Sequence, residues 1–198
     1  MFGSSKPRVN RSAKPDVRLT RRNLRQKALT LLLQDFDERC AYSMQHWKKA
    51  GGLKCMEIDH FDPRLKSKFI QDYNNLFLAT RYCNGAKSTW HPNPGDAKLG
   101  LRLLNCCEEQ DYGLHIFEDP GDHKLVGVTP EGKFHIRICD LNAPHFVYER
   151  RKRAEIRTRL ENTPIAVKGP YRVVLSLIND VREDLDLMIP PIPPPPNT

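Results

Sequence analysis

Leu24, Ala28, Leu31, Leu32 and Phe36 recur at helical spacing, which predicts a helix from about Arg21 to Glu38 with Thr20 as its cap. A second short helix is expected at Ser43–Ala50, stopped by Gly51-Gly52. The period then shortens. Cys55 to Phe61 and Asn75 to Thr80 are compact apolar runs of strand length, separated by a polar loop with Pro63. Cys83 to His91 reads as a short helix ended by Pro92 and Pro94. Leu114–Glu118, Leu125–Thr129 and Phe134–Cys139 read as three strands, with turns at Pro120-Gly121 and Glu131-Gly132. A helix is expected from Asn142 or Ala143 to about Leu160, and a last one from Arg172 to about Leu187. The prolines from Pro190 to Pro196 require an extended tail, either unstructured or a docking element. The fold class is therefore α+β.

Charge adds an asymmetry to this pattern. The chain of 198 residues has 32 Lys and Arg against 24 Asp and Glu, a net +8. Lys6, Arg8, Arg11, Lys14, Arg18, Arg21, Arg22, Arg25 and Lys27 face one acid, Asp16, so the whole excess sits in the first 27 residues. Such an arm suits a polyanion; it also reads as a solvated tail, and the two readings are compatible. No apolar run is long enough to span a membrane, and the N-terminal stretch has no apolar segment of a secretory signal. A cytoplasmic setting with reduced thiols is expected, and the six cysteines form no intact C-x-x-C pair.

Chemistry concentrates between Cys40 and His91. Cys40-Ala41-Tyr42-Ser43 is followed by Glu57-Ile58-Asp59-His60-Phe61, then Asn75-Leu76, then Cys83-Asn84-Gly85-Ala86-Lys87. In order and spacing this stretch, about a quarter of the chain, resembles the HNH branch of the His-Me finger nucleases. The family places Asp-His at a strand end, Asn-Leu at the start of the next strand, and Cys-Asn-x-x-Lys at the start of a helix. The resemblance implies a ββα-metal core, here with an N-terminal helix, an added small antiparallel β region and C-terminal helices. The organisation expected is a basic arm at 1–19, the nuclease module at 20–100, an accessory region at 101–188 packed on it, and the proline-rich tail at 189–198.

The implied activity is metal-dependent hydrolysis of phosphodiester bonds in DNA, by nicking or double-strand cleavage. His60 would be the general base, because an imidazole takes a proton from water near neutral pH. Asp59 and Asn84 would hold one divalent metal, Mg²⁺ or Mn²⁺, since carboxylate and amide oxygens are hard donors. Asn75 would stay off the metal and orient the histidine. Asp59 and His60 are neighbours, so they share a site only if the strand ends there. Lys87, one turn after Asn84, could contact a phosphate. His91, seven residues after Asn84, reads either as a further substrate contact or as a helix-end histidine beside proline. His46, His115, His123, His135 and His145 are expected to be structural.

Many relatives carry two C-x-x-C pairs around a structural zinc. The corresponding positions here are Cys40, Ser43, Thr80 and Cys83, so no structural zinc is expected. Arg150, Arg151, Lys152 and Arg153 are expected to face a nucleic-acid backbone, or else to form a solvated helix face. Binding would then be largely independent of sequence, with a log–log salt slope of about −4 to −5 for about five phosphates. Bacterial defence or mobile-element processing is the setting expected by analogy. Beyond DNA, the partner would be another protein or a second copy in a homodimer. Two alternatives stand beside the active nuclease: a subunit gated by a partner protein, and a non-catalytic nucleic-acid-binding module.

Overall fold

The computed structural model describes residues 6–11, 18–20, 22–66, 71–164, 168–171 and 189–193. The helix expected from Arg172 to Leu187 lies outside the described residues, as do the last five residues of the tail.

Helix α1 spans Leu24–Asp35 and turns Ala28, Leu32 and Asp35 inward, a spacing of four and three residues that defines one face. It starts later than expected. Asn23 takes the N-cap position, and its Oδ1 accepts from the Thr20 backbone N–H at 2.7 Å, so Thr20 lies outside the helix. Asp37 and Glu38 adopt left-handed backbone at φ 49° and 59°, which ends the helix before Glu38.

The helix expected at Ser43–Ala50 does not form. The Cys40 N–H donates to Gln45 O at 2.9 Å, Arg39 bridges to His46, and Met44 sits at φ 57°. This closed turn uses backbone groups a helix would need.

Strands β1 (Met56–His60) and β2 (Leu76–Thr80) form an antiparallel pair in the register Met56↔Thr80 to His60↔Leu76. Every residue of β2 is buried, and α1 packs against it. Helix α2 (Arg81–Lys87) follows directly, with the Thr80 hydroxyl accepting from the Cys83 N–H at 3.2 Å, and packs on both strands. It ends at Lys87 because Ser88 takes φ 50°, so His91 lies beyond the helix on which it was expected. Helix α3 (Pro94–Lys98) carries a reciprocal cap between Asn93 and Asp96.

Strands β3 (Ile116–Glu118) and β4 (Leu125–Gly127) form a second antiparallel pair. The third strand expected here, Phe134–Cys139, is a helix instead: α4 spans Pro130–Ile138. Thr129 accepts from the Gly132 N–H at 3.1 Å, Pro130 fills the first turn and Glu131 favours the helix N-terminus. Gly132 does not make a turn; it lets α4 cross the β3–β4 pair. A Cβ there would lie 2.3 Å from His115 O, and one on Gly127 would lie 2.2 Å from Lys133 N.

Helix α5 spans Pro144–Glu161, close to expectation. The start of the tail docks on β3: the Glu118 N–H donates to Pro190 O at 2.9 Å and the Ile192 N–H to Glu118 O at 3.0 Å. The fold is α+β with two small antiparallel sheets, and one hydrophobic core runs through both the 20–100 and 101–188 stretches. Among the described residues no helix is long and apolar enough to cross a membrane.

Candidate active site

The site expected at the end of β1 divides along the pleat. Asp59 and His60 both belong to the paired strand, so their side chains leave it on opposite faces. Asp59 turns toward α2 and is 5 % exposed. Its Oδ2 accepts from the Tyr42 hydroxyl at 2.5 Å and lies 3.0 Å from Lys87 Nζ; its Oδ1 accepts from the same ammonium at 3.2 Å. Burial raises the Asp59 pKa, and the Lys87 charge and the Tyr42 hydroxyl pull against that rise without cancelling it.

Lys87 is 1 % exposed, and its third partner is the carbonyl of His60 at 2.9 Å. The lysine expected to meet a phosphate is thus spent on the strand end. Tyr42 is fixed in turn: its ring stacks on Phe77, and its carbonyl accepts from the Tyr112 hydroxyl at 2.7 Å.

His60 is half-buried on the other face. Its Nε2 lies 2.5 Å from Gln71 Oε1. An amide oxygen only accepts, so Nε2 is the donor in this contact. Asn75 holds the loop that follows. Its Oδ1 accepts from the Asp62 N–H at 2.7 Å, its Nδ2 donates to Asp62 O at 2.9 Å, and its own carbonyl accepts from the Phe61 N–H at 2.9 Å. That clamp holds the loop after His60; the imidazole itself, which Asn75 was expected to orient, meets Gln71 instead.

Asn84 joins Glu57, not Asp59, with which it was expected to hold a metal. Its Nδ2 donates to Glu57 Oε2 at 2.6 Å, while Arg81 Nε donates to Glu57 Oε1 at 2.9 Å. Partial burial pushes Glu57 up, but Asn84 and Arg81 outweigh it and hold the carboxylate below its usual range. Glu57 stands two residues before Asp59, so strand alternation alone places both on the face that α2 covers. Tyr42 and Gln71 had no such signal, since each reaches its partner across the fold.

His91 is exposed, with Nδ1 3.3 Å from Thr89 O. It lines a cleft of about 230 Å³ together with Phe61, Asp62, Arg64, Trp90 and Arg102, beside the loop that Asn75 clamps. On α5 the basic run divides. Arg150 is buried and donates to His123 O at 2.7 Å and Asn142 Oδ1 at 3.1 Å, so it braces the β4 region and does not face a backbone. Arg151 and Lys152 are exposed, Lys152 pairing with Glu155 at 2.9 Å, and Arg153 is half-buried.

The basic arm also divides. Arg8 donates through Nε and Nη2 to both oxygens of buried Asp111, each at 2.8 Å. Arg11 donates to Tyr73 O and Leu76 O, with its guanidinium 4.8 Å from the Phe77 ring centre. These two side chains strap the N-terminal segment onto the core.

The four positions compared with a zinc site lie together. Thr80 Oγ1 is 3.8 Å from Cys40 Sγ, and the Cys40 and Cys83 thiols share a hydrogen bond; all six cysteines are free. Among the described residues no three His, Cys, Asp or Glu side chains are placed to hold a metal ion. Asp59 and Asn84 supply donors of the right hardness for Mg²⁺, but their arrangement does not fit one: Lys87 already neutralises Asp59, and both Asp59 oxygens are engaged. Compared with protein-family models, curated proteins and solved structures, the chain matches none.

Proposed function

We propose that this protein is an HNH-type nuclease that hydrolyses phosphodiester bonds of DNA, with His60 as general base. The observation that carries the reading is the β1–β2–α2 unit. It puts Asp59 and His60 at the end of the first strand, an asparagine clamp on the following loop, and Asn84 on the helix. Gln71 holds the proton of Nε2, so Nδ1 of His60 is the atom that takes a proton from an attacking water. Mg²⁺ or Mn²⁺ would absorb charge on the phosphate, but Asp59 as matched by Lys87 does not fit either, so the metal requirement is what the cleavage test decides. DNA would be held through backbone contacts, with exposed Arg151 and Lys152 among the donors.

A second reading, a nuclease subunit silent until a partner binds, is favoured by one observation: Asp59 is closed off by Lys87 and Tyr42. Plasmid cleavage with Mg²⁺ or Mn²⁺, unmodified chain beside His60→Ala and an EDTA blank, separates the two. Nicked or linear product only from the unmodified chain with metal supports the active enzyme, and His60→Ala should be slower by at least about 10²-fold. DNA binding without product in any lane supports the gated subunit. Equal cleavage by both chains removes His60 from the chemistry.

A further inference from the structure

We propose that Cys107 is a nucleophilic thiol that reacts with hydrogen peroxide, and that its neighbour Cys106 completes the reaction by closing a disulfide with it. This modification site stands apart from the nuclease reading, since neither cysteine belongs to the β1–β2–α2 unit.

All six cysteines are free, but their surroundings differ. Cys40, Cys83 and Cys139 are sealed in the core. Cys55 is partly exposed, and its thiol donates to Gly51 O at 3.6 Å, so the sulfur there keeps its proton. Cys107 is partly exposed too, yet its sulfur accepts. Arg11 Nε donates to Cys107 Sγ at 3.3 Å, and the Cys106 thiol donates to the same atom. The other two nitrogens of Arg11 are taken by the carbonyls of Tyr73 and Leu76, which fixes the guanidinium with its third donor on the sulfur. The backbone is held on both sides of the pair: the Cys107 N–H donates to Asn105 Oδ1 at 3.0 Å, and the Val9 N–H donates to Cys106 O at 2.9 Å.

Two donors and a fixed positive charge favour the thiolate, which is the nucleophilic form of cysteine. The hydrogen bond from Cys106, with the charges of Arg11 and Arg8 behind it, holds the Cys107 thiol below its ordinary range despite partial burial. The same bond, together with burial, pushes the Cys106 thiol up and keeps it as the proton donor. The Cys107 thiolate attacks one oxygen of the peroxide. An S–O bond forms, the O–O bond breaks, and the departing hydroxide takes the Cys106 proton to become water. The Cys106 thiolate then attacks Cys107 Sγ. An S–S bond forms, the S–O bond breaks, and hydroxide leaves to solvent. The pair of sulfurs loses the two electrons that the peroxide gains. Neighbouring Cα atoms stand about 3.8 Å apart across a trans peptide, closer than the usual disulfide span of about 4.4–6.8 Å, so the product is readily reduced by thiols.

The test treats the full reduced chain with hydrogen peroxide at pH 7, blocks the remaining thiols with iodoacetamide, and locates the alkylated cysteines by peptide mass spectrometry. Cys106 and Cys107 should resist alkylation together, in a species lighter by a pair of hydrogens, and regain it after dithiothreitol. Cys107 should be oxidised about ten-fold faster than Cys55, and Arg11→Gln should slow it about ten-fold. In Cys106→Ser the oxidation should stop at the sulfenic acid, which dimedone captures on Cys107. Equal oxidation of Cys55 and Cys107 overturns the proposal, as does a folded Arg11→Gln chain that reacts unslowed. The first comparison lies within the unmodified chain and stands even if neither variant folds. A disulfide joining any other pair, or dimedone capture on Cys107 in the unmodified chain without a disulfide, overturns the part given to Cys106.

Discussion

The ammonium of Lys87 stands 3.0 Å from Asp59 Oδ2 and 2.9 Å from the carbonyl of His60, so one buried cation ties α2 to the last two residues of β1. Removing half of such a pair leaves the other charge in a site without water. Lys87→Met should lower stability by about 3–5 kcal/mol in urea unfolding, and adding Asp59→Asn should restore most of it, because Tyr42 can still donate to the neutral amide. A loss under about 1 kcal/mol would mean that Asp59 finds water or another cation when Lys87 is gone.

Asn75 makes two hydrogen bonds to the backbone of Asp62 while only 6 % exposed. Asn75→Ala should cost about 1–3 kcal/mol, since the Asp62 N–H and C=O lose their partner together. The loop it holds begins next to His60, so single-turnover cleavage should fall even at temperatures where the variant is fully folded. Normal cleavage by a folded variant would make the clamp purely structural.

Neighbouring basic residues on α5 should respond in opposite ways. Arg150→Ala removes bonds to His123 O and Asn142 Oδ1 from a buried position and should cost about 2 kcal/mol or more. Arg151→Ala and Lys152→Ala change exposed side chains and should stay within about 0.5 kcal/mol of the parent. Each of these two that meets a phosphate should lower the log–log salt slope of DNA binding by about 1. An unchanged slope in both would take α5 out of the interface.

His135 should make stability pH-dependent. It is 1 % exposed, its Nδ1 accepts from the Leu104 N–H at 3.0 Å, and its Nε2 has no partner. Burial lowers its pKa from 6.5 to about 4. The unfolded chain therefore binds the proton first, and stability falls as pH drops from about 6.5 to about 4, with no further loss from this group below that. The contribution is about 3 kcal/mol across the window at 1.36 kcal/mol per pH unit. Urea midpoints at pH 7 and pH 5 should differ for the parent and converge for His135→Gln. An equal pH dependence in both would place the protonation elsewhere.

Elements with local signals were legible in the amino-acid order. Strands β1 and β2 come from short apolar runs around a proline loop, and α5 from a long stretch without breakers after Pro144. The order strand, strand, helix was legible too, but the pleat sends Asp59 and His60 to opposite faces and Asn84 bonds Glu57, so the single cluster expected of these residues is divided. Where two periods compete, local reading chose wrongly. Phe134, Ile136 and Ile138 alternate like a strand, yet the cap at Thr129 and the crossing at Gly132 make that segment helical.

What only the tertiary structure decided is the partner of each charge. Arg8 meets Asp111 across 103 positions, Lys87 meets Asp59 across 28, and Arg150 reaches His123 across 27. Residue type and periodicity state that a lysine or arginine is present and which face of its own element it occupies. They do not state what another element brings against that face. A buried charge must be paired, so packing converts several of the expected nucleic-acid contacts into internal braces. For the same reason the sequence alone carried the candidate residue types, while the three-dimensional arrangement decided that Asp59 is already matched by a cation of the protein's own.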